Sequence, residues 1–358
     1  MLSRLEIGLA DEGVRVAHAL PEGLAGVAGV GPLIEAMTYD ATRVPFTRGL
    51  RAARLASQAV SIQHADSERG QSPASGRSVD VVHAFGGAAW DLSLDVARRI
   101  GSAIAFEVWR MGLVDRAVSI SRRDPQVHRV FLAPDITIER RLKAAGLTAV
   151  RAAPWGVHAI ARTRSAASPD RSVSIVITGG GRDARATLAA LEGVGLATSE
   201  RADAVIFMDA MAARRSRAWS VAKRLGLLGR LSLIDDIEMR RDIALRADIL
   251  VQPEAVGEQR SVLLDAMAAG MVVVAAADPG VSWLADDKTA WLVEEHTPRV
   301  WANTITRALS DPSRARALAA RASAQVAREH RATTHIASVL GAYQWVIGGP
   351  RARMATKS

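Results

Sequence analysis

The second half of the chain holds five short, almost uninterrupted apolar runs, SVSIVI, DAVIFM, RLSLI, DILVQ and MVVVAAA, each followed by Gly, Asp or Pro punctuation. Stretches with helical spacing separate them, expected over 184–191, 214–225, 238–246 and 261–269, with a long helix from Arg299 onward. A strand that is apolar on both faces must be covered on both faces, and parallel strands need crossover helices to connect them. The alternation therefore predicts an α/β fold with parallel sheets. The first half repeats it more loosely in GVRVAHALP, VDVVHAF, SAIAFEVW, RVFLAP and AVRAAPWGV, with helical spacing in LSRLEIGLADEG and WDLSLDVARRIG. At 358 residues, the chain is long enough for two such domains of about 150 to 200 residues each.

Composition removes several classes of function. The chain has no cysteine, so disulfides, thiolate metal sites and thiol nucleophiles are excluded. Its opening residues, MLSRLEIGLADEG, carry Glu6, Asp11 and Glu12 and lack the apolar stretch of a secretory signal, which predicts a protein that is not exported. The apolar run 266–277 has 12 residues, where a spanning helix needs about 20. The net charge is +9, and all but four of the 46 Lys and Arg residues are arginine. Scattered surface arginines account for such a balance, and so would phosphate-bearing substrates or an anionic membrane surface. Neither a stacking motif nor a helix-turn-helix signature accompanies the charge, so no nucleic-acid partner is expected.

Chemistry concentrates in residues 247–280, ADILVQPEAVGEQRSVLLDAMAAGMVVVAAADPG, read as strand, loop, helix, strand and glycine turn. A loop that leaves a parallel strand and enters a helix near Arg260 points free backbone N–H groups and the positive end of the helix dipole at one place. An anion is favoured there. Ser261 can cap the helix, Arg260 can fork onto a phosphate, and Asp265 lies one turn beyond Ser261 on the same face. A plain strand–helix–strand unit with small-residue packing would give part of the same pattern.

This stretch resembles the donor-binding segment of the large GT-B glycosyltransferase family that uses nucleotide sugars with retention. Pro253, Asp265, Ala266, Met267, Ala268, Gly270, Val272, Val273 and Gly280 fit the family pattern. The following DDKTAWLVEEHTPRVWANTITRALSDPSRARALAARA fits the family's ending. Asp265 stands where the family has Glu, and Gly257 occupies the first acidic position, with Glu258 beside it. TGGGRDARATL, residues 178–188, is similar to the family's glycine–Arg turn, which makes Gly179, Gly180 and Arg182 candidates for the donor diphosphate, with Arg185 in place of the usual lysine.

VDVVHAFGG and RAAPWGVH resemble first-domain segments of the family through Asp80, Val82, His83, Pro154, Gly156 and Val157. His83 itself reads as a strand-end histidine satisfied by backbone groups. Where many members have a histidine facing the sugar, this chain has Trp109, with Glu107 and Arg110 nearby. The match begins about 20 residues into the family pattern, so the expectation is either a start that is late or a branch that has lost the family's first strand and glycine-rich loop.

The resemblance implies two Rossmann-like domains facing a central cleft. The expected layout is an acceptor-side domain over 1–158, a linker over 159–172 and a donor domain over 173–332. A helix over 333–347 would cross back to the first domain, ahead of a basic tail over 348–358. The implied reaction moves a sugar from a nucleoside diphosphate sugar to a glycan, lipid or small-molecule acceptor, without metal or other cofactor. Glu258 and Asp265 are the catalytic candidates. Gly179, Gly180, Arg182, Arg260, Ser261 and Asp265 are the donor-binding candidates, and Glu107 and Trp109 the acceptor-side ones. The expected location is cytoplasmic, with peripheral contact at an anionic membrane face. The altered acidic position and the missing loop support a second reading, a degenerate protein that binds nucleotide, glycan or a partner subunit without turnover.

Overall fold

The computed structural model describes residues 1–24, 35–41, 47–67, 79–158, 172–235, 237 and 240–348. The expected surface loop over 67–78 lies, after Ser67, outside the described residues, as do most of the expected linker and tail. The chain divides into two compact units, one formed by Met1–Pro154 with Ala332–Ser358, the other by Trp155–Arg331.

The first unit opens with α1 (Leu2–Asp11), β1 (Ala17–Pro21) and β2 (Glu35–Tyr39), followed by α2 (Arg48–Ser67) and β3 (Val81–Ala84). It continues with α3 (Trp90–Ile100), β4 (Ala103–Glu107), α4 (Val114–Arg123), β5 (Arg129–Ala133), α5 (Ile136–Ala144) and β6 (Val150–Ala152). Strands β3 to β6 form one parallel sheet in chain order. Alternation along each strand divides its side chains between two cores. Ile104, Phe106, Phe131 and Ala133 enter a core with Trp90, Leu94, Ile120, Ile138 and Leu142 from α3, α4 and α5. Ala103, Ala105, Val130 and Leu132 face the opposite way, toward Leu5 and Leu9 of α1. The GVRVAHALP run gives β1, which pairs in parallel with β2 in a separate two-stranded sheet among the described residues.

The second unit contains β7 (Ser174–Ile177), α6 (Ala184–Ala197), β8 (Val205–Asp209), α7 (Ala210–Ser216), α8 (Ala218–Arg224) and β9 (Leu231–Ile234). Then come α9 (Arg241–Ala244), β10 (Ile249–Gln252), α10 (Ser261–Ala268), β11 (Val272–Ala276), β12 (Trp291–Val293), α11 (Pro298–Ser310) and α12 (Pro312–Glu329). Its six parallel strands run in the order β12-β11-β10-β7-β8-β9. The chain moves outward from β7 through β8 to β9, then returns to β10 beside β7 and moves outward the other way. The loops after β7 and β10 therefore diverge from adjacent strand ends, and that switch point is where open α/β sheets take ligands.

Two helical expectations change. The expected helix over 214–225 is two helices, because Arg217 adopts a left-handed φ of 56° and ends α7. The expected long helix from Arg299 is broken as well. Asp311 terminates α11 and caps α12 through the Arg314 N–H, with Pro312 in the first turn. The last helix, α13 (Ala332–Ile347), belongs to the first unit, where Ile336, Val339, Ala342 and Val346 complete the core around Leu5 and Leu9.

Candidate active site

The turn after β7 is built against the loop after β10. Glu254 follows Pro253 and is 3% exposed. Its carboxylate accepts the Gly180 N–H at 2.5 Å, the Gly181 N–H at 3.2 Å and the Asp183 N–H at 2.9 Å. Asp183 in turn caps α6 by accepting from the Ala186 N–H. Gly181 has φ +64°, and a Cβ there would lie 2.7 Å from the Cα of Ala212, so a side chain meets both backbone strain and a rigid neighbour. Arg215 closes the far side of the turn by donating to the Gly180 carbonyl at 2.8 Å.

Beyond Glu254 the loop turns at Gly257, whose φ of +63° lies in the left-handed region. Its N–H donates to Asp278 at 2.8 Å. A glutamate at 257 would be strained there. Glu258, the next residue, places a carboxylate at this end of the loop. It pairs with Arg182 at 3.0 Å and with Arg260 at 3.0 Å. Gln259 fixes the loop from below, donating to the Gly280 carbonyl and accepting from the Trp283 indole.

Helix α10 begins at Ser261, with Arg260 at the cap position in an extended conformation. The Ser261 hydroxyl therefore does not cap the helix. It accepts from Arg241 at 2.9 Å, and the same guanidinium pairs with Asp265 one turn further on. Asp265 is 1% exposed and the Arg241 side chain 14%. Gly179, Gly180, Arg182, Glu258, Arg260, Ser261 and Asp265 thus gather at the switch-point end of one sheet. Sequence reasoning missed Glu254 and Arg241. Glu254 adjoins Pro253 at a strand end, a signal too common to single it out, and Arg241 comes from a four-residue helix that no motif marks.

The acceptor-side candidates belong to the first unit and separate from each other. Glu107 is fully buried at the end of β4, with His83 Nε2 3.3 Å from its carboxylate. His83 Nδ1 lies 2.8 Å from the Tyr343 hydroxyl, so this histidine is satisfied by side chains and not by backbone. Burial, and then the charge of Glu107, push the Tyr343 phenol far above its ordinary range. His335 beside them is 1% exposed, and burial pushes its imidazole below its usual value. Trp109 packs half-buried against the core of α3 to α5, with the Arg110 guanidinium 5.4 Å from its ring centre.

Residues 142–311 match the family model of glycosyl transferases group 1. The match covers the turn, the loop and α10. Solved structures with the same architecture include a glycosyltransferase from Rickettsia africae, 13% identical, with 97% of this chain and 94% of that one covered at a TM-score of 0.66. Sucrose-phosphate synthase from Thermosynechococcus elongatus is 15% identical over 99% and 93% of the two chains, at 0.69. Anabaena HepE, solved in complex with UDP and glucose, is 12% identical over 86% and 85%, at 0.66. The fold is that of the GT-B glycosyltransferases. No curated protein matches the chain. No helix among the described residues is long and apolar enough to cross a membrane.

Proposed function

We propose that this glycosyltransferase moves a sugar, with retention, from a nucleoside diphosphate sugar held by the second unit to a glycan, lipid or small-molecule acceptor bound by the first. The observation that carries the reading is the convergence of Arg182, Arg260, Glu258, Ser261 and Asp265 at the switch point of the second sheet. A sugar nucleotide's leaving group gains negative charge as the glycosidic bond breaks, and fixed cations aimed at that charge lower the barrier. Arg182 and Arg260 serve that purpose, aided by the amino terminus of α10. Glu258 orients sugar hydroxyls, and Asp265, held by Arg241, accepts from ribose hydroxyls. HepE, a structure of the same fold, was solved with UDP and glucose, which supports a uridine nucleotide as the first donor to try. Retention calls for attack on the face that the leaving group vacates.

The test is thermal stability of the full chain, and of an Asp265→Ala variant, against nucleoside diphosphates and their sugars, followed by turnover with whichever donor binds. A melting rise confined to the parent chain is the expected result. No shift with any nucleotide would refute the donor site. A specific observation supports the second reading, a binder without turnover, because Glu258 already pairs with both candidate arginines. Nucleotide binding with no sugar release in the presence of acceptors would favour it.

A further inference from the structure

Glu254 places a carboxylate where this fold leaves room for a ligand's anion. The Gly180, Gly181 and Asp183 N–H groups converge on one side of the turn after β7, at the switch point, and a concave set of backbone donors of this kind takes phosphates or carboxylates. Here the chain supplies the anion itself, reaching from the neighbouring β10 loop to make three bonds from a site closed to solvent. The turn is shaped around that group. A Cβ on Gly179 would come within 2.7 Å of Glu254 Oε2, so any side chain there would displace the carboxylate. The Gln252 carboxamide donates to the Glu254 carbonyl at 3.1 Å, which fixes the backbone from which the side chain reaches. Arg182 and Arg260 also border the turn, beside Gly180, and pair with Glu258.

We infer that Glu254 is a positioning residue, an internal anion that fills the backbone nest of the turn and holds it in shape, so that phosphate recognition falls to the Arg182 and Arg260 side chains. The part concerning phosphate recognition rests on the donor reading above; the anchoring of the turn does not. A carboxylate can accept all three bonds, because both of its oxygens are acceptors with about four lone-pair sites between them. A carboxamide cannot, since its NH2 would face a backbone N–H.

The experiment compares the full-length parent with Glu254→Gln and Glu254→Ala by hydrogen exchange and melting temperature, without nucleotide. In the parent, amides of the peptide covering 178–184 are expected to exchange slowly, being bonded to Glu254. In Glu254→Gln, which keeps the volume, that peptide is expected to exchange at least about tenfold faster while β11 stays protected. Glu254→Ala is expected to melt about 5 °C lower. Inorganic phosphate should then raise the melting temperature of this variant more than that of the parent at matched ionic strength, by entering the vacated nest. Unchanged exchange in Glu254→Gln, or equal phosphate responses in the parent and Glu254→Ala, would overturn the inference. If Glu254→Ala does not fold, the Glu254→Gln exchange result decides alone. A failure of every nucleotide to bind the parent would refute the donor reading and leave these outcomes intact.

Discussion

Replacing Arg241 with methionine tests how the second unit tolerates a carboxylate in its interior. The Asp265 carboxyl sits on α10, a helix whose residues are all buried, and is itself 1% exposed. It pairs with Arg241, which also donates to Ser261. Removing one member of a buried ion pair costs about 3 to 5 kcal/mol, because the remaining charge keeps its desolvation penalty and loses its compensation. For a unit the size of Trp155–Arg331, each kcal/mol lowers the melting temperature by about 2 to 4 °C, so a fall of about 10 °C is expected. Scanning calorimetry of the parent, Arg241→Met, Asp265→Asn and the double variant gives a complete cycle. The two substitutions should couple by about 2 kcal/mol, the double variant being more stable than the singles predict. Ser261→Ala isolates the hydroxyl bond, worth about 1 kcal/mol. A loss below about 1 kcal/mol in Arg241→Met, or strict additivity, would show that Asp265 does not depend on this guanidinium.

Three further outcomes follow from the same geometry. Gly181→Ala should destabilise the second unit by more than the roughly 1 to 2 kcal/mol of left-handed strain alone, since its Cβ meets the Ala212 backbone at 2.7 Å, and urea unfolding measures the difference. Glu258→Gln releases Arg182 and Arg260 from their shared partner, so the bare nucleoside diphosphate should bind more tightly in calorimetry while sugar transfer slows; weaker nucleotide binding would argue against the assigned roles. Burial holds the His335 imidazole below its ordinary value, so the unfolded chain binds this proton more readily than the folded one. The stability that His335 contributes is complete above the ordinary imidazole range and is lost as pH falls through it, at up to about 1.4 kcal/mol per pH unit. His335→Gln should flatten that acid-side slope in urea titrations between about pH 5 and 7.5.

What could be read from the residues was what leaves a local trace. Buried parallel strands must be apolar on both faces, so DILVQ and MVVVAAA announced β10 and β11, and the spacing of Ser261 to Asp265 put both on one helical face. The break at Arg217 left no trace, because a left-handed arginine between two helical stretches is imposed by packing and not by its own preference. Glu254 and Arg241 were illegible for a related reason. Their partners lie 71 to 74 residues and 20 to 24 residues away in sequence, and only the strand order brings them together. Gly257 looked like the loss of an acidic group, whereas the left-handed turn it makes puts Glu258 against Arg182 and Arg260.

The place of α13 in the first unit has a consequence for synthesis. The second unit is one continuous segment, and its sheet and covering helices can assemble as soon as residues up to Arg331 have left the ribosome. The first unit is translated earlier, yet one face of its sheet waits for Ile336, Val339, Ala342 and Val346 to cover Ala103, Ala105, Val130 and Leu132. Until then only part of that face is covered, by Leu5 and Leu9 of α1, and the nascent protein carries the rest open for the whole time needed to translate the intervening 177 residues, Trp155–Arg331. The unit that is made first is finished last.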